Sequence, residues 1–134
     1  MTQQQRRQAR EQAFSLLFEL TFHDSLQAVL DARDEGETPL HEFAMQLATT
    51  AEENLQQLDD AIAKRLKPGW RLGRIPRATH ALLRLAVCEM LHFDDIPTGV
   101  SINEAVELAK LYADDDAPKF VNGLLGAIAR SGDA

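Results

Sequence analysis

A chain of 134 residues that is 45% hydrophobic has the length of one domain and the apolar content for a packed core, which excludes disorder throughout. A single cysteine, Cys88, excludes an internal disulfide framework. With no secretory signal and no run of 18 apolar residues, the expected address is the cytoplasm, with no membrane contact. The formal charge of −7 argues against nucleic acid only as a total, because its distribution is uneven.

In chain order, the periodicity predicts a first helix over residues 4–22. On its wheel Ala9, Ala13, Leu16, Leu17 and Leu20 form one apolar stripe, and Phe14, Phe18 and Phe22 form a second, roughly opposite. A second stripe is either buried between two layers of its own domain or part of a partner surface. Residues 24–37 read as a mobile connection. Thr38-Pro39 reads as an N-cap with proline at the first helical position, opening a helical pattern that breaks once near residues 49–53 and stops at Lys67-Pro68-Gly69.

The next predicted helix, residues 76–92, is apolar almost all round and therefore central. Glu89 lies among its apolar positions and is expected to be partly buried, held by hydrogen bonds or a cation. Ser101-Ile102-Asn103-Glu104 reads as a capping box opening a helix to residue 113. Asp114-Asp115-Asp116 precedes a last helix, residues 118–130, and is expected to cap it. No strand period and no repeat is visible.

Motifs that carry catalysis are missing. Cys88 and His92, four apart, offer two metal ligands without a third, so no zinc site is expected. Gly123-Leu124-Leu125-Gly126 is no phosphate loop, and its glycines are read as close packing within an apolar helix. No nucleophile motif surrounds the serines, and the aspartate run lacks the spacing of a calcium loop. Neither enzyme activity nor a cofactor is expected.

The basic residues fall into two acid-free stretches. One holds Arg6, Arg7 and Arg10; the other, between Asp60 and Glu89, holds Lys64, Arg65, Lys67, Arg71, Arg74, Arg77 and Arg84. Phosphate senses the local potential within about 10 Å rather than the net charge, so either stretch can bind it; the alternative is a pair of solvated helix faces. Cations at Arg6, Arg7 and Arg10 oppose the positive end of the first helix, a conflict that something anionic nearby would relieve, RNA being one candidate. Phe120, in the first turn of the last helix and at the edge of its apolar stripe, is placed to stack a base while half-buried. Lys119 and Asn122 project away from that stripe.

Several strings are diagnostic as a set: Arg6-Arg7, then Ala9-Arg10-Glu11, Ala13-Phe14, Leu16-Leu17-Phe18; Trp70-Arg71-Leu72 and Arg74-Ile75-Pro76; Leu83-Arg84-Leu85-Ala86-Val87-Cys88-Glu89; Ile96-Pro97; Ile102-Asn103-Glu104-Ala105-Val106-Glu107-Leu108-Ala109-Lys110; and Lys119-Phe120-Val121-Asn122-Gly123. They resemble the NusB family of transcription antitermination and termination factors, and frame nearly the whole chain; residues 24–67 carry no diagnostic string. The resemblance implies an all-α fold of two packed three-helix halves, in one domain over residues 1–134. It implies a partnership with NusE, the small-subunit ribosomal protein acting outside the ribosome. The pair would bind the single-stranded boxA element of nascent rRNA and let RNA polymerase, in an antitermination complex, pass terminators. By the same analogy Arg6, Arg7, Arg10, Asp116, Lys119 and Phe120 belong to the RNA surface, with Asn122 beside them, and Phe18 and Phe22 to the NusE surface. Two rival readings stand: a NusB-like module of an rRNA cytosine methyltransferase, and a protein-binding homodimer without RNA activity.

Overall fold

The computed structural model describes residues 1–132; the last two positions of the expected domain over 1–134 lie outside the described residues. Among the described residues there are seven α-helices and no strand. They are α1 Gln3–Leu20, α2 Leu26–Asp31, α3 Glu42–Glu53, α4 Leu55–Ala63, α5 Arg77–His92, α6 Thr98–Tyr112 and α7 Ala117–Arg130, with a 3-10 turn at Leu72–Arg74 before α5. The fold is all-α, as expected from the helical periodicity and the family resemblance.

α5 is the hub. It packs on α1, α3, α4, α6 and α7. Ten of its sixteen residues are buried, which is why its sequence is apolar all round. α1 packs on it, with Leu16, Leu17 and Leu20 of the α1 stripe buried in the same core. Leu47 and Leu58 of α3 and α4, and Leu125 and Ile128 of α7, complete one contiguous core. Each such buried side chain contributes roughly 1.5–3 kcal/mol of transfer free energy.

The structure departs from expectation at the helix starts. Residues 24–37 are not simply a connection, because α2 lies within them. Ser25 Oγ accepts from the Ala28 amide, Leu26 and Val29 are buried, and the Leu26 amide donates to Glu52 at 2.6 Å. The third helix opens at Glu42 rather than at Thr38-Pro39, because Gln12 ties that approach down: its amide nitrogen donates to the Pro39 carbonyl, and its amide oxygen accepts from the His41 N–H. The break comes at Asn54. The capping-box reading of Ser101 is overturned: α6 already opens at Thr98, and Ser101 lies buried inside it. Asp116 occupies the N-cap position of α7 with no capping hydrogen bond from its side chain. A capping box does exist at the start of α1, between Thr2 and Gln5.

Candidate nucleic-acid interface

Pro68 and Gly69 stop the chain after α4 with a tight turn, in which the Trp70 amide donates to the Lys67 carbonyl at 3.0 Å. Gly69 has φ of 89°, which a residue with a Cβ rarely adopts; proline followed by such a glycine is the chemistry of a type II turn. The turn leaves Trp70, the one tryptophan of the chain, 54% exposed. Facing it across a cleft is the first turn of α7, where Phe120 is half-buried against the core and Lys119 is exposed.

Two clefts meet at these aromatics. The first, about 480 Å³, is walled by Arg65, Lys67, Trp70, Lys119, Phe120 and Gly123. The second, about 380 Å³, is walled by Trp70, Arg74, Thr79, Asp114, Asp116 and Phe120. Asp116 also lines the first. The structure thus gathers Asp116, Lys119 and Phe120 with part of the second basic stretch. Asn122 is exposed on α7 but lines neither cleft. Trp70 had been singled out only as part of a string; its being the lone tryptophan inside an acid-free basic stretch, next to a Pro-Gly turn, was the available signal. The close-packing reading of Gly123 is corrected as well: a Cβ there would meet nothing within 4 Å, so the glycine leaves open space along the cleft.

The arginines at the start of α1 divide. Arg10 is corrected from a phosphate ligand to a structural residue. It is 3% exposed, and its Nε and Nη2 donate to the two Glu89 oxygens at 2.7 and 2.9 Å. Ser101 Oγ donates to the same carboxylate at 3.0 Å. Glu89 is therefore buried and held by a cation and hydrogen bonds, as its setting required. Arg7 is half-exposed and pairs with Glu104 at 3.1 Å. Arg6 lies 5.7 Å over the Phe43 ring. Neither Arg6 nor Arg7 lines the two clefts.

The second aromatic stripe of α1 is graded along the helix. Phe14 is core, stacked on Tyr112 with ring centroids 5.3 Å apart. Phe18 is half-buried, and Phe22 is 56% exposed with the Arg77 guanidinium 4.4 Å over its ring. Phe14 and Phe18, with Glu11, Glu19 and Tyr112, line a groove of about 680 Å³. Tyr112, which donates to Glu11 at 3.1 Å, went unnoticed in the sequence because its contact with α1 spans about a hundred residues.

Elsewhere polar chemistry is structural. Burial alone would raise the Asp59 carboxyl, but hydrogen bonds and charge from Arg84 and His80 outweigh it and bring its pKa down to about 2. Arg84 donates to Asp59 at 2.9 and 2.8 Å, and His80 Nε2 lies 2.7 Å away. Burial first, then the charge of Glu89, pushes the Cys88 thiol up to about 12. Among the described residues no group of three or more His, Cys, Asp or Glu is placed to hold a metal.

Comparison with known proteins fits this architecture. A model described as the NusB family matches residues 7–130. Curated relatives named transcription antitermination protein NusB include that of Bacillus subtilis, 46% identical over 125 residues, covering 92% of this chain and 93% of the relative. That of Natranaerobius thermophilus is 37% identical over 131 residues, covering 92% and 94%. Among solved structures, Thermotoga maritima NusB superposes with a TM-score of 0.82 at 36% identity, over 93% of this chain and 90% of that one. A chain from a crystal structure of the antitermination factors NusB and NusE in complex with dsRNA gives 0.79 at 28% identity, over 97% and 99%.

Proposed function

The chain belongs to the NusB family, and on that premise we propose that it is a non-catalytic antitermination factor that binds single-stranded boxA-type RNA of nascent rRNA together with NusE. It works within the RNA polymerase antitermination complex, in the cytoplasm. The observation that carries this is the pairing of two outward aromatics, Trp70 and Phe120, with Arg65, Lys67 and Lys119 around one cleft. Single-stranded RNA is held by neutralised phosphates plus bases stacked on aromatic planes, and this cleft offers both. Arg7, paired with Glu104, and the half-buried Arg6 lie toward the other end of α5 from this cleft, so on this reading they form a separate basic contact at the start of α1.

The aromatic groove on α1 suits the protein partner instead. Its rim carries Glu11 and Glu19, which repel phosphate and favour a basic protein surface. Phe18 and Phe22, with Tyr112 beside them, are the anchors on this reading.

The test is RNA affinity with and without NusE, on variants whose melting temperature is also measured. Phe120→Ala should cost about 1–3 kcal/mol of RNA binding, while Phe120→Tyr and Phe120→Trp keep most of it, because the π-face is what the base needs. A core role would instead show as a stability loss of roughly 3–5 kcal/mol on Phe120→Ala. That result, with binding lost only in proportion, overturns the reading.

A further inference from the structure

We infer that the second cleft, between Trp70 and Phe120, is a pocket for a single inserted nucleobase, and that Thr79 reads that base. The inference rests on the RNA-binding function proposed above.

The two clefts share their aromatic walls but differ in chemistry. The first sets three cations, Arg65, Lys67 and Lys119, against the one carboxylate of Asp116, and fits a phosphate backbone. The second carries Asp114 and Asp116 against the single cation Arg74, and is otherwise apolar apart from Thr79. Two carboxylates repel phosphate and accept from N–H donors, so the group suited to this cleft is a base edge bearing an exocyclic amino group. A volume of about 380 Å³ has room for one base beside the Trp70 and Phe120 rings, as expected where a strand crosses Phe120 with its backbone in the first cleft.

The independent observation is Thr79 itself. It sits in the first turn of α5, is 1% exposed, and forms part of the cleft wall. Its Oγ1 is buried with no hydrogen-bond partner among the described residues. A buried hydroxyl left unpaired is costly, and such groups in a native fold call for a reason. Valine would fill the same volume without that cost, so packing does not explain threonine here. Threonine populates two χ1 wells in helices. Rotation about χ1 exchanges Oγ1 with the methyl group, and on this inference one of the two wells lets the hydroxyl donate to or accept from a base in the cleft.

The experiment uses the full chain with NusE and a set of short single-stranded boxA-type RNAs, each carrying an abasic site at one position in turn. Thr79→Val should melt at the same temperature as the unsubstituted protein or higher, because it removes the orphan hydroxyl. It should nevertheless bind the intact RNA about tenfold more weakly, a step equal to about 1.4 kcal/mol. At one position of the RNA the abasic substitution should abolish the difference between the two proteins, while Thr79→Ser retains full binding. Equal binding of every RNA by Thr79→Val overturns the proposal while leaving RNA binding intact. So does a uniform loss at all positions that tracks a lower melting temperature. If the unsubstituted protein with NusE binds none of these RNAs, the RNA-binding function fails, and the base pocket with it.

Discussion

Two charge clusters show how a single residue's surroundings decide its task. Arg10 and Arg7 stand one turn apart on α1, yet Arg10 is sealed against Glu89 and Ser101 while Arg7 keeps half of its side chain in water. Removing one partner of a buried pair leaves an uncompensated charge, so Arg10→Ala should cost about 3–5 kcal/mol of folding stability. Chemical denaturation would measure it, and Arg7→Ala should lose well under half as much. Asp59 adds a pH signature. Its folded pKa of about 2 lies below the ordinary 3.8, so its stabilisation is complete above pH 4 and is lost as pH falls through 2. The term is on the order of 1 kcal/mol after solvent screening is taken into account. The stability gap between the unsubstituted protein and Asp59→Asn should therefore close on acidification from pH 5 to about 2; a gap that stays constant would show that the carboxylate charge is not what stabilises.

At the level of helices, strong periodicity made most of the fold legible. The central α5, the long α1 and the apolar stripe of α7 follow from spacing alone, and the buried Glu89 followed from its place on α5. What spacing hid was anything fixed by distant partners. The α2 helix is short and held at its start by Glu52 of α3. Ser101 matches a local cap pattern but is recruited by Glu89 twelve residues earlier. Arg10 was misread because its partner lies 79 residues away. Phe120 was legible from its wheel position. Trp70 was not, because exposure beside a turn has no period. Gly123 sits inside α7 with open space where a Cβ would go. Gly123→Ala should then stabilise the fold by roughly 0.5–1 kcal/mol through helix propensity. The added methyl enters the basic cleft, so RNA affinity should fall while the melting temperature rises. Unchanged affinity would mean that RNA does not follow this wall.

Across the whole molecule, the net charge of −7 conceals two aromatic surfaces of opposite electrostatic character. The Trp70–Phe120 face sets Arg65, Lys67, Arg74 and Lys119 against Asp114 and Asp116, an excess of cations, and the α1 groove carries Glu11 and Glu19 with no Lys or Arg among the described residues of its lining. Such a division lets one small helical body hold an anionic strand and a basic protein without their competing for the same site. The consequence is separability. Phe22 is exposed, touched by the Arg77 guanidinium and edge-to-face with Phe18 rather than packed into the core, so Phe22→Ala should lower the melting temperature only slightly. Phe18 is half-buried, so adding Phe18→Ala should bring a modest stability loss while the fold is kept. The double variant should nonetheless lose NusE by more than about 2 kcal/mol if these rings are anchors. Any RNA binding by the chain alone should persist, with its salt slope unaltered, since each phosphate contact contributes about 0.7 to that slope for single strands. Replacing Lys67 and Lys119 with alanine should do the reverse, flattening the salt slope and sparing NusE. Titrating both partners against both double variants at two salt concentrations gives an affinity and a salt slope for each of the four combinations. If either variant loses both partners equally while still folded, the two faces are one continuous interface and the division by charge is wrong.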